Sequence, residues 1–168
     1  AMAQWASAFT EAGLGVSKTV GDLAGPCLFA VFMGISRMLY GKMSGNLNLT
    51  KTMLLSGLLC VSCYLLASLS PVPLLGLTGC ALCGFSVGIM WPGTISLSSQ
   101  KCPQGGTAMF AFLALAGDFG GTISPAMVGS LSELADGNLK AGLLAATIFP
   151  ILLVIVLLTV NRRMKGSI

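Results

Sequence analysis

Apolar runs long enough to cross a bilayer alternate along this chain with short polar connections, and that alternation is its dominant pattern. Val20 to Tyr40 is apolar apart from Asp22 near its start and Arg37 near its end. Further runs follow at about Thr52 to Leu69, Leu74 to Leu97, Thr107 to Leu131 and Leu139 to Val160. Roughly 20 apolar residues in a helix span the hydrocarbon core of a membrane, so the pattern predicts five transmembrane helices and an all-α integral membrane fold. The connections are the polar turn Gly41 to Lys51, the tight break Ser70-Pro71-Val72-Pro73, a loop around Lys101, and the turn holding Glu133, Asp136, Gly137 and Asn138. Residues 1–19 have Trp5 and Phe9 but too much small and polar content for a span of their own, and read as the end of a helix plus a loop. Residues 20–163 form the transmembrane bundle and residues 164–168 a short tail.

Composition agrees with the pattern. The chain is 55% hydrophobic and only 8% charged, with a mean hydropathy of +0.90, whereas soluble domains carry about 25% charged residues. The net charge of +4 does not point to nucleic acid, because the cations stand in short clusters between apolar runs rather than along a basic stripe. They report orientation instead. Alternating the connections across a bilayer puts Arg37, Lys42, Lys51, Lys101, Arg162, Arg163 and Lys165 on one side with no acid. Glu11, Asp22, Glu133 and Asp136 fall on the other side with Lys18 and Lys140. The positive-inside rule makes the first side cytoplasmic, and with it the C-terminus of a multi-pass protein of the cell membrane. Five spans with an external N-terminus and no signal sequence, after an Ala1-Met2 opening, read as a fragment of a longer chain that has lost a preceding helix.

Asp118 is the first candidate for chemistry. It is the only charge between Ala108 and Val128, and about twelve residues of helix at about 1.5 Å each put it some 18 Å deep, near the middle of the bilayer core. Carboxylates there face a bundle interior or an aqueous cavity and mark solute or proton paths. The alternative is a buried acceptor that ties one helix to another. Trp91-Pro92-Gly93 interrupts the third span; Pro92 removes a backbone donor, which at depth requires another group or a cavity to satisfy the freed carbonyl. Either a moving, gating helix or a static kink follows. Gly84-x-x-x-Gly88 and Gly117-x-x-x-Gly121 carry the small-residue spacing of close helix packing, within one bundle rather than between copies.

Cys60-x-x-Cys63 and Cys80-x-x-Cys83 match the spacing of a four-cysteine zinc site and could lie at similar depth on antiparallel helices. Their flanks hold no cation to favour thiolates and no wet path for an ion, so they read, with Cys27, as small apolar residues at helix contacts. No metal site and no cofactor is expected. With no histidine in the chain, a catalytic dyad in the membrane is not expected either.

Several of these features together resemble the C-terminal half of a major facilitator superfamily transporter, from the end of its seventh helix through its twelfth. Gly34, Gly41 and Lys42 match the glycine and the Gly-Arg/Lys seven residues on that this family carries after its eighth helix. Where the family has an adjacent acid and arginine, this chain has Met38 and Leu39, with Arg37 one position earlier, so the family's gating charge pair is not carried over. The glycine-spaced spans, Pro92 and the Pro103-Gln104-Gly105-Gly106 loop add to the resemblance, and its general texture is similar to the fucose-permease-like sugar transporters. Gly21-Asp22-Leu23-Ala24-Gly25 recurs as Gly117-Asp118-Phe119-Gly120-Gly121, at helices that the inverted repeat of such transporters makes equivalent, which adds Asp22 to the pathway candidates. The resemblance implies half of a twelve-helix bundle, a missing N-terminal half as partner, and secondary transport of a small, sugar-like solute with protons coupled at Asp118. Trp91, Phe110 and Phe112 would then offer stacking surfaces. Drug or metabolite efflux, and a non-transporting receptor or assembly subunit, are the alternatives.

Overall fold

A computed structural model describes residues 2–15, 17–43, 45 and 47–165, and every regular element among them is helical. The end of the predicted tail, residues 166–168, lies outside the described residues. Five stretches are long and apolar enough to cross a membrane, Lys18–Met43, Leu49–Leu69, Leu74–Lys101, Gly106–Leu134 and Leu139–Arg162, which is the build of a multi-pass membrane protein.

Three of the five are interrupted, each at a proline. In the first span, α2 (Lys18–Asp22) passes through a π-helical turn (Leu23–Cys27) into α3 (Leu28–Met43), and Pro26 lies inside that turn. The second span is α4 (Leu49–Leu69), capped by Asn48, whose side chain accepts from the Lys51 amide. In the third, α5 (Pro73–Val87) gives way at Gly88 and Ile89 to α6 (Met90–Lys101). The fourth is the continuous α7 (Gly106–Leu134), which contains Pro125 without a break. In the fifth, α8 (Leu139–Ala146) and α9 (Ile148–Lys165) meet at Thr147, three residues before Pro150. A proline strips the N–H that would bond the carbonyl four residues earlier, so the disturbance falls upstream of the ring. Hence the third span opens at Gly88 and Ile89 while Trp91, Pro92 and Gly93 themselves are helical.

Residues 2–14 form a helix of their own, α1 (Met2–Leu14), and Met2 and Ala6 on it are buried. It packs on α5, on the π turn and on α7. Small residues let it do so, since a Cβ at Gly25 would stand 2.7 Å from the carbonyl of Ala6. The α5 helix is central, flanked by α3, α4 and α1, and α4 in turn carries α8 and α9. Where α3 crosses α5, a Cβ at Gly84 would collide with the Phe29 carbonyl, and one at Gly88 would stand 2.9 Å from the Met33 carbonyl. The core runs from Met2 through Cys60, Cys63, Tyr64, Cys80 and Cys83 to Val128, Leu143 and Ala146.

Candidate functional site

The fourth span is the least enclosed. Only Val128 and Ser132 are buried on α7, both toward its C-terminal end, where α8 packs on it. Its first half stands clear, with Phe110, Phe112, Leu115, Phe119 and Ile123 all exposed. Asp118 is on that open part, and its carboxylate has no hydrogen-bond or ion-pair partner among the described residues. Leu115, Asp118, Phe119, Thr122 and Ile123 line an open cleft of about 340 Å³.

Helical geometry explains the polar content of this cleft. Positions 118, 121, 122 and 125 fall on one face, three to four residues apart. Thr122 donates its hydroxyl to the Asp118 carbonyl at 2.9 Å, which leaves its oxygen lone pairs free to accept. Pro125 has no N–H to offer the Gly121 carbonyl, which loses its helical donor, and Gly121 itself is exposed, with nothing within 4 Å of an added Cβ. The face therefore presents a carboxylate, a carbonyl and a hydroxyl oxygen, an array of acceptors set among apolar and aromatic side chains. It suits a proton, a cation or a solute rich in hydroxyl or amine donors.

Two contacts tie the third span to its neighbours. The carbonyl that Pro92 leaves without its helical donor is that of Gly88, four residues earlier, and Arg37 of α3 donates its Nε–H to that oxygen at 3.3 Å. The group that satisfies the freed carbonyl is thus a cation from the first span. On the other side of the break, the Trp91 ring lies over Gly117, where an added Cβ would stand 3.1 Å from Cζ3. Trp91 thereby joins the kinked segment to the helix that carries Asp118.

Asp22 is placed differently. It ends α2 beside the π turn and accepts a hydrogen bond from the Ser7 hydroxyl of α1. Glu11 stands 3.3 Å from the same hydroxyl, whose one proton serves one carboxylate at a time. Of the loop-motif residues, Lys42 lies exposed in the last turn of α3, and a Cβ at Gly34 or Gly41 would meet nothing within 4 Å. Gly84 and Gly88 sit at the α3–α5 crossing, while Gly117 faces a ring and Gly121 faces open space, so their shared spacing serves two different surroundings.

The two cysteine pairs do meet, at the α4–α5 contact. Cys60 and Cys83 are 3.9 Å apart at sulfur, Cys80 is 3.4 Å from the Met2 sulfur, and all four thiols are buried. Among the described residues no group of three or more metal-ligating side chains converges.

The cleft on α7 lies where helix periodicity around Asp118 would put it, since Leu115 and Thr122 are three and four residues away. The roles of Arg37 and Trp91 follow from no spacing within one helix. Subtracting four from Pro92 marks Gly88 as needing a donor, but only the fold says which side chain supplies it. Compared with protein-family models, with curated proteins and with solved structures, the chain finds no match.

Proposed function

We propose that the chain is one half of a secondary active transporter, whose open α7 face forms one wall of a solute path near mid-membrane and whose Asp118 exchanges protons as the two halves rock. The observation that carries this reading is a carboxylate in the middle of a span, without a partner among the described residues, on a stretch of α7 that is exposed from residue 114 to residue 123. Against lipid such a group costs about 2.5–3.5 kcal/mol on insertion scales. Against an aqueous path, with a second bundle as its far wall, that cost falls away. The partner in this reading is the complementary six-helix half, and the C-terminal end is cytoplasmic by the cation count of the connections.

The acceptor-only character of the face supports a solute with hydroxyl or amine donors, in keeping with a sugar-like substrate. The break at Gly88 and Ile89 supplies a point about which α6 can swing, with Arg37 on one side of it and Trp91 against α7 on the other.

Flux into sealed vesicles tests the reading. Reconstituted with the complementary half, the chain should concentrate a hydroxylated solute in response to a pH gradient. Asp118→Asn should abolish that accumulation while leaving solute exchange down its own gradient intact, because the amide keeps the shape but carries no exchangeable charge. Full accumulation by Asp118→Asn would return the residue to a packing role. Equal flux by the chain alone, shown to be monomeric, would refute the half-transporter.

A further inference from the structure

At the cation-rich end of the bundle, away from the α7 face, a second cavity of about 350 Å³ opens between the end of α3, the start of α4 and the end of α6. Tyr40, Asn48, Thr50, Gln100 and Lys101 are the polar residues of its lining, and Leu47, Leu49 and Leu97 complete it. We propose that this cavity binds a phosphate-ester anion, the headgroup of an anionic phospholipid at the membrane surface.

Three independent features converge on that ligand. The first is the start of α4. Asn48 uses its side chain on the Lys51 amide and its carbonyl on the Thr52 amide, which leaves the Leu49 and Thr50 amides as the first-turn donors without a helical acceptor. The second is Thr50, only 9% exposed and part of the cavity's lining, whose hydroxyl has no hydrogen-bond partner among the described residues. The third is charge. Lys101 stands in the wall, without an ion-pair partner among the described residues, and Lys42 and Lys51 flank the same end. None of the residues that line the cavity is acidic, and all three helix ends belong to the side that collects cations without an acid. Donors and positive charge with no competing carboxylate recognise an anion, and on the cation-rich side of a bilayer the phosphate ester within reach is an anionic lipid headgroup.

The site is separate from the solute path and does not rest on the transport reading. Its test uses the purified chain in detergent, titrated with phosphatidylglycerol or phosphatidylcholine and read by native mass spectrometry. Phosphatidylglycerol should be retained in preference to phosphatidylcholine. Lys101→Gln should weaken its retention about fivefold, and Thr50→Val about two- to fivefold, while Lys101→Arg retains it. Lys18→Gln, which removes the same charge at the opposite end, should leave it unchanged. A further arm adds inorganic phosphate: failure to displace the lipid assigns the site to a membrane headgroup, and displacement at equal concentration assigns it to a free phosphate, the same chemistry from solution. Equal retention of the two lipids, or equal losses in Lys18→Gln and Lys101→Gln, would overturn the proposal.

Discussion

The chain writes nearly the same five residues twice and uses them in opposite ways. Gly21-Asp22-Leu23-Ala24-Gly25 begins the first span, and Gly117-Asp118-Phe119-Gly120-Gly121 occupies the middle of the fourth. In the first copy both glycines are buried against α1, with Ser7 and Glu11 over Gly21 and the Ala6 backbone against Gly25. Its aspartate has a hydroxyl donor. In the second copy the glycines are exposed and the aspartate has no partner among the described residues. The difference comes from what lies alongside. The short α1 fills the groove beside the first copy, whereas beside the second the Trp91 ring reaches Gly117 and an added Cβ at Gly120 or Gly121 would meet nothing within 4 Å. A small-residue stripe with a carboxylate is a place where something can approach closely, and which thing approaches decides between packing and function.

The sharpest way to break that comparison is to neutralise the two aspartates separately. Asp118→Asn should lose proton-driven accumulation down to background. Asp22→Asn should keep it, because its carboxylate is engaged by α1 rather than open to a path. Loss of accumulation in both, with both proteins folded, would make the two copies functionally equivalent and erase the distinction drawn from their surroundings.

The glycines give the next largest effect, on stability. A methyl at Gly25 would stand 2.7 Å from two backbone atoms of Ala6, so α1 and the π turn would have to move apart. Gly25→Ala should destabilise by about 1–3 kcal/mol, the range for overpacking a well-fitted contact. At Gly121 the same methyl meets nothing, and the helix-propensity gain of alanine over glycine is about 1 kcal/mol, so Gly121→Ala should be neutral or stabilising for the bundle alone. Unfolding in mixed micelles measures both. A destabilised Gly121→Ala would mean that a neighbour does sit on that stripe.

The contrast between the two copies also marks what a sequence of this kind discloses. The five spans were legible from hydropathy, because length and the scarcity of charge are enough to define them. The place of Asp118 midway along the fourth span followed from counting residues, and the nearness of the two cysteine pairs from the antiparallel arrangement of two helices. Helix neighbours were not legible. Spans that are apolar on most sides give no periodic signal for which face turns inward, so nothing in residues 107–131 told an open face from a packed one. Residues 1–19 read as the end of a helix plus a loop, and their packing was not legible: the small and polar content that makes them unfit for a span suits a helix, Met2–Leu14, pressed against Gly21 and Gly25. Proline breaks lay between these cases. The rule that flagged Pro92 applies equally to Pro26 and Pro150, yet Pro125 obeys the same rule and α7 runs on unbroken.

The smallest expected effect concerns the cation that joins the first span to the third, and it is best read as a coupling. If Arg37 stabilises the fold by donating to the carbonyl that Pro92 leaves free, its worth depends on the proline. In Pro92→Ala the alanine N–H can return to the Gly88 carbonyl, and the guanidinium becomes redundant there. Arg37→Gln should therefore cost more with Pro92 in place than in the Pro92→Ala background, by about 1 kcal/mol, a modest figure because Arg37 is exposed and its bond is long at 3.3 Å. A double-mutant cycle in mixed micelles isolates that difference from whatever each change does alone. Strict additivity would show that Arg37 acts only through solvent or the membrane surface. A clear coupling would tie a charge at the cation-rich end to the one break that Trp91 connects to the Asp118 helix, so that moving either span has to disturb the other.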